Sequence, residues 1–165
     1  TIRPEGAGST SQLERSGSGG ANWDRVDDTG SGDGDSTYVY DGQEGGYDTD
    51  TYSIQNPSSP SGTINSVTVY IRCRAATVGS ATDPAYARTV IRIGGTNTYG
   101  SQNTLGDSYA EYSTTYATKP GGGAWTWADI NSLEAGVSLD STDTSGGNYR
   151  IARCTQVWVV VTYTP

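Results

Sequence analysis

The sequence of 165 residues contains no histidine, no methionine and no phenylalanine, and its single lysine is Lys119. Without histidine the chain lacks the usual general base, the usual zinc ligand and the usual pH switch near neutrality. Ordinary nucleophilic triads are therefore absent. Glycosidases need two carboxylates flanking a cleft, but most Asp and Glu residues here lie in Gly- and Ser-rich turns. We predict from this that the protein is not an enzyme.

Positive charge is also scarce. The formal net charge is −8 at pH 7, whereas binding to nucleic acids or to anionic membranes requires a basic surface. No apolar run is long enough to span a bilayer. We therefore expect no nucleic-acid partner and no membrane insertion, while the acidic balance still allows a cation to bind.

The residues that are abundant indicate short strands and many turns. The chain has 23 Gly and 12 Tyr, and only 33% of its residues are hydrophobic. Residues 64–74 and 149–163 alternate between apolar and polar side chains, as strands with one buried face do. The side chains predicted to point inward are Val67, Val69, Ile71 and Cys73, and Val157, Val159, Val161 and Tyr163. About eight to ten such strands predict an all-β fold, an antiparallel two-sheet β-sandwich of jelly-roll type.

One short helix is predicted at about residues 127–135, within the stretch 124–136. Thr126 can act as its N-cap, and Asp129 can complete a capping box. Gly136 follows at a position typical of a helix stop. We expect this helix to cover an open end or edge of the sandwich and to pack in the core. The side chains on its buried face would be Trp127, Ile130 and Leu133.

The first 21 residues differ in composition from the rest. Gly and Ser crowd residues 1–21, in which only Ile2 and Leu13 are suited to burial. This segment is either a flexible leader or an arm that lies on a neighbouring subunit and adds a strand to it. Residues 22–165 are predicted to form a single β-sandwich domain.

An acidic, glycine-rich loop follows the first predicted strand. Calcium requires several oxygen ligands on a loop that can wrap tightly, and this loop supplies such atoms. It lacks the spacing and the closing Glu of an EF-hand, so the alternative is an acidic, solvated turn. The candidate ligands for Ca²⁺, the only cofactor considered, are Asp27, Asp28, Asp33 and Asp35.

The two cysteines, Cys73 and Cys154, are candidates for a disulfide. Cys154 is out of phase with the inward residues of the last strand, and a bulge near Thr155 would correct its orientation. A bridge would close a loop of about 80 residues, worth about 4 kcal/mol in the chain-entropy model.

Two tyrosines, Tyr70 and Tyr109, are predicted on polar faces of their strands. Such rings either stack on sugars or pack within a second sheet, a loop or a subunit interface. Of these alternatives we favour the interface.

Several segments occur in an order typical of one group of proteins. They are NW at 22–23, VD at 26–27, TYV at 37–39, DTY at 50–52, GTINSVTVY at 62–70, WTWADI at 125–130 and TQVWVVVTY at 155–163. From about residue 20 onward, the chain resembles a family of single-domain β-sandwich modules. These modules occur among tailed-phage structural proteins and in surface proteins of bacteria and archaea. The shared segments mark the fold, so no functional residue carries over, but the resemblance implies a structural role on a virion or cell exterior.

These observations lead to two functional hypotheses. The first is a non-enzymatic structural subunit of an extracellular assembly, either a phage virion surface protein (a capsid decoration or fibre) or the repeating subunit of a surface filament. Its partners would be copies of itself or a capsid, tail or filament protein. The second is a carbohydrate-binding adhesin module that holds surface glycans with exposed aromatic residues, with or without Ca²⁺.

Overall fold

A computed structural model describes residues 1–42, 45–58, 60–144 and 147–165. In these residues nearly all regular structure is strand, with one 3₁₀ turn at Trp23–Arg25. The elements in chain order are β1 (Pro4–Ser11), β2 (Glu14–Arg15), β3 (Val39–Tyr40), β4 (Asp48–Ile54), β5 (Thr63–Val78), β6 (Tyr86–Ile93), β7 (Thr96–Tyr99), β8 (Asn103–Thr104), β9 (Ala110–Tyr116), α1 (Trp127–Ser132), β10 (Glu134–Asp140), β11 (Thr142–Thr144) and β12 (Asn148–Thr164).

The strands form two antiparallel sheets. Sheet I has the order β1-β4-β10-β6-β7, with β8 also paired to β6, and sheet II has the order β2-β3-β12-β5-β9, with β11 also paired to β12. Along the chain, the main strands alternate between the sheet β3-β12-β5-β9 and the sheet β4-β10-β6-β7. This is the strand order of a jelly roll, which consists of two Greek keys. The predicted jelly-roll sandwich is therefore confirmed.

The core lies between the two sheets and follows the predicted alternation. Val67, Val69 and Ile71 are completely buried, as are Val157 and Val159. The prediction is wrong at the end of β12, where a register shift between Thr162 and Tyr163 breaks the alternation and Tyr163 is 48% exposed.

A bulge in β12 resolves the orientation of Cys154. The ladder between β12 and β5 shifts register between Cys154 and Gln156, so Thr155 is the extra residue. Cys154 and Val157 can then both face the core, where both are fully buried. The predicted bulge near Thr155 is confirmed.

The N-terminal residues belong to the sandwich rather than to a separate leader. β1 pairs antiparallel with β4 as an edge strand of sheet I. Ile2 exchanges two backbone hydrogen bonds of 2.9 Å with Val159 of sheet II, and both Ile2 and Leu13 are buried. In this single chain the first residues thus add strands to their own sheets.

The helix is shorter than predicted. Its N-terminus is correct, because the Thr126 hydroxyl accepts a hydrogen bond from the Asp129 N–H and the Asp129 carboxylate accepts one from the Thr126 N–H. It ends at Ser132, and β10 begins at Glu134. Gly136 is not a helix stop but an interior strand residue, where a Cβ atom would collide with the Asp50 carbonyl oxygen. Ile130 and Leu133 are buried as predicted, and Trp127 is half-buried.

Candidate functional site

The acidic loop is bound to the bulge of β12. The Thr155 hydroxyl lies 2.9 Å from the carbonyl oxygens of Gly34 and Thr37. The buried Gln156 amide donates to the carbonyl oxygens of Asp28 and Gly30 at 3.0 and 3.3 Å. These contacts fix the loop against the outer face of sheet II, so it is not a freely solvated turn.

Asp35 is at the centre of an arginine network on this face. Its carboxylate binds Arg74 at 2.6 Å and Arg153 at 3.4 Å, and it accepts a hydrogen bond of 2.9 Å from the Tyr109 hydroxyl. Partial burial opposes ionisation of Asp35, but the bonds from Arg74 and Tyr109 outweigh it and hold its pKa below the usual value. The carboxylate of Asp35 therefore forms ion pairs with Arg74 and Arg153, which take the place that a bound metal ion would have.

The other acidic residues of the loop do not join Asp35 in one ligand set. Asp28 accepts a hydrogen bond from the Asp33 N–H, and the Asp33 carboxylate accepts two from Thr37. Burial, together with the charges of Asp33 and Asp27, raises the pKa of Asp28. Among the residues that the structure describes, no three His, Cys, Asp or Glu side chains converge as metal ligands. The predicted calcium set of Asp27, Asp28, Asp33 and Asp35 is therefore not assembled.

The two predicted outward tyrosines are used within the chain. The ring of Tyr70 stacks on Trp158, with centroids 5.0 Å apart and planes inclined by 4°. The Tyr109 ring lies 5.4 Å from the Arg74 guanidinium. Burial and the hydrogen bond to Asp35 raise the pKa of Tyr109. Both rings are half-buried in these contacts, which makes them poor platforms for a sugar.

The predicted disulfide is not present. Cys73 and Cys154 are partners across the ladder of β5 and β12, but both are free thiols and both are fully buried. The Cys154 thiol donates to the Gln156 carbonyl oxygen at 3.2 Å, so its hydrogen is satisfied without a bridge. Burial, with the neighbouring Cys154, raises the pKa of Cys73 well above its usual value.

A groove at one end of the sandwich contains the most accessible aromatic pair. Its volume is about 730 Å³. Trp127 and Tyr163 meet edge to face there, with centroids 5.2 Å apart, and the Trp127 indole donates to the Gly62 carbonyl oxygen at 3.0 Å. The exposed side chains of Glu5 and Asn56 line the same groove. Sequence reasoning placed Trp127 in the core, because the pattern of one helix does not show that β12 brings Tyr163 beside it.

No family model matches the chain, and no curated protein matches it. In the described part of the chain, no helix has the length and apolar character needed to cross a membrane.

Proposed function

We propose that this protein is a non-enzymatic structural subunit of an extracellular assembly. It would act as a phage virion surface protein, as a capsid decoration or fibre, or as the repeating subunit of a surface filament. Its partners are copies of itself or a capsid, tail or filament protein. The observation that carries the proposal is the way in which the N-terminal arm (residues 1–15) is attached to the sandwich.

The arm holds the body of the sandwich through a few specific contacts. The Asp50 carboxylate accepts hydrogen bonds from the N–H groups of Gln12 and Leu13 at 2.7 and 2.9 Å. The Glu134 carboxylate accepts a bond of 2.8 Å from the Ser9 N–H and binds the Ser9 hydroxyl. Every one of these contacts joins arm to body, so an arm from another copy can make the same contacts.

The segment after the arm is suited to such an exchange. Residues 16–20 read Ser-Gly-Ser-Gly-Gly, and Gly17, Gly19 and Gly20 have positive φ angles. A chain of this composition can redirect the arm with little cost, because glycine adopts both signs of φ. Exchange of the arm between copies then links one subunit to the next without creating a new interface.

The outer faces of the sandwich support a role in rigid display. On sheet I the Arg88 guanidinium contacts two rings, 3.5 Å from the centroid of Tyr47 and 4.5 Å from that of Tyr99. On sheet II the Asp35 network ties the acidic loop to two strands. Such cross-links restrain loops that would otherwise be open to proteases outside a cell.

A cysteine pair across β1 and β4 tests the exchange in the full chain. Gly6 is the ladder partner of Ser53, and a Cβ atom at Gly6 would lie beside the Ser53 hydroxyl. In Gly6→Cys/Ser53→Cys, oxidation at high protein concentration should produce a ladder of covalently linked copies on a non-reducing gel. Oxidation after strong dilution should give single copies. The single variant Gly6→Cys and the unsubstituted chain are the controls, and single copies at every concentration would refute arm exchange.

A second candidate function, a carbohydrate-binding adhesin module, is favoured by the groove. Aromatic rings beside carboxylate and amide side chains can stack on a sugar ring and bind its hydroxyl groups. A glycan array probed with the Gly6→Cys/Ser53→Cys variant in its single-copy form, oxidised after dilution, tests this function with and without EDTA. Binding that Asn56→Ala and Tyr163→Ala each weaken would support it, and an array without signal would remove it.

A further inference from the structure

The four lateral edges of the two sheets differ in how they are protected against pairing. β1 carries two register irregularities along its ladder. β2 and β3 have two residues each, and β7 and β8 have four and two. Short length and bulges are devices that prevent a sheet edge from pairing with another chain. Three of the four edges therefore carry such a device.

The edge formed by β9 has none of them. β9 pairs with β5 over seven residues without a register shift. Its sequence, AEYSTTY, contains no Pro and no Lys, and it consists largely of residues that favour strands. Among the backbone hydrogen bonds between described residues, none reaches the other edge of β9. In the described part of the chain, sheet II thus ends in a regular strand with no further strand beside it, and the Trp125 indole donates to the carbonyl oxygen of its last residue, Tyr116, at 3.0 Å.

The ladder fixes which backbone groups this edge presents. Val157 and Val159 of β12 donate their N–H groups to Val26 and Ile2, on the side away from β5. Along an antiparallel strand, the N–H and C=O groups of successive residues point alternately to one neighbouring strand and to the other. The N–H and C=O groups of the ladder partners Ile71 and Val69 therefore point to β9 and not to β12. The β9 partners of Ile71 and Val69 are Tyr112 and Thr114.

By the same alternation, the intervening residues direct their N–H and C=O groups to the open edge. These residues are Glu111, Ser113 and Thr115, and their side chains are exposed. An antiparallel pairing of two β9 strands about a two-fold axis at Ser113 would use all three residues of each copy. It would form about six hydrogen bonds, whereas a shift by one position leaves some of these groups unpaired.

Charge along the strand is compatible with this register. Glu111 is the only charged residue of β9, and the register places it opposite Thr115 of the other copy. This register keeps the two Glu111 side chains from lying opposite each other. Two like charges in directly opposite positions would weaken the pairing. Within its own chain Glu111 lies 3.5 Å from Arg72.

We infer that β9 is a self-association edge through which two copies of this chain join their sheets in antiparallel register about Ser113. The inference rests on the proposed function and deepens it, because it supplies a second contact between subunits. The pairing is isologous, so it closes at two copies. It uses a different edge and different residues from the arm.

Two substitutions at one position test both the pairing and its register. Thr115→Lys places a cation opposite Glu111 of the other copy, and Thr115→Glu places a second carboxylate there. Each variant loses the same 2.9 Å contact with the Thr68 hydroxyl, so they form a matched pair. We expect Thr115→Lys to lower the dimer dissociation constant by roughly 2- to 30-fold and Thr115→Glu to raise it by a similar factor.

Analytical ultracentrifugation of the full chain in the oxidised, single-copy Gly6→Cys/Ser53→Cys background is the measurement. The disulfide keeps the arm on its own sheet, so a dimer that remains cannot arise from arm exchange. Thr96→Lys, an exposed position on the edge strand β7, is the control and should leave the dissociation constant unchanged. A monomer at every concentration, or equal effects of the two Thr115 variants, would overturn the inference and leave arm exchange untouched.

Discussion

Replacing Gly136 by alanine tests how closely β10 and β4 are packed. A Cβ atom at this position would overlap the Asp50 carbonyl oxygen and touch the backbone of Thr51. Because these are backbone atoms of a paired strand, no side chain can rotate to relieve the overlap. Overpacking of this kind costs about 1–3 kcal/mol, and we expect about 3 kcal/mol here. For a domain of this size that corresponds to a decrease of about 6–12 °C in the melting temperature.

Gly106→Ala is the matched control, because a Cβ atom there meets no atom within 4 Å. That substitution should be neutral or raise the unfolding free energy by up to about 1 kcal/mol. Thermal and guanidinium unfolding, followed by the fluorescence of the four tryptophans, measures both variants. Equal stabilities of the two variants would show that β4 can move away from β10, and the reasoning from close approach would then be wrong.

Three further predictions concern single side chains. Partial burial opposes ionisation of Glu134, but hydrogen bonds from Ser9 outweigh it and lower the pKa of Glu134 from the ordinary value of 4.5. The stabilisation supplied by the Glu134 carboxylate is therefore complete above about pH 4.5 and is lost as the pH falls through its pKa in the folded protein. The difference in unfolding free energy between native protein and Glu134→Gln should therefore shrink between about pH 5 and pH 3 in guanidinium titrations, and a constant difference would contradict this. Thr126→Ala should lower the unfolding free energy by about 1 kcal/mol through loss of the cap, and no change in thermal unfolding would argue against it. Cys73 and Cys154 should react with a thiol reagent only in denaturant, whereas rapid labelling of the folded protein would refute their burial.

Much of the fold could be predicted because long strands with one buried face carry a strong alternating signal. β5 and β12 show it over more than ten residues, and the interruption at Thr155 was visible as a change of phase before Val157. The capping box of Thr126 and Asp129 was equally local, since both partners lie within one helical turn. Local patterns of this kind need no knowledge of the neighbouring strands.

The N-terminal arm and the end of the helix could not be predicted in the same way. β1 reads PEGAGSTS, and glycine and proline are depleted in strands, so nothing in the segment indicates one. It is a strand because β4 and the carboxylates of Asp50 and Glu134 bind it. Gly136 was interpreted as a helix stop, whereas its small size is needed for contact with a distant strand.

The candidate calcium ligands show the same limitation. From the sequence, four aspartates among glycines indicate a site for a cation. Asp35 instead meets Arg74 and Arg153, which come from β5 and β12. Both arginines are visible in the sequence, but only the pairing of β5 with β12 shows that they lie beneath the acidic loop.

The two proposed contacts between copies lie on opposite sides of the sandwich. β9 lies against β6, since the hydroxyls of Thr89 and Thr114 are 2.7 Å apart, whereas β1 lies beyond β4 at the far edge of sheet I. Neither contact blocks the other. Arm exchange between successive copies is open-ended, and pairing through β9 closes at two.

A chain that uses both contacts should therefore assemble in even numbers of copies. Thr115→Glu weakens the pairing edge and should give arm-linked species of odd and even number. The Gly6→Cys/Ser53→Cys variant that was oxidised after dilution, and so is locked in single copies, should stop at dimers. Native mass spectrometry resolves these series in one experiment. Odd-numbered species as frequent as even ones in the unsubstituted chain would show that pairing through β9 does not accompany arm exchange.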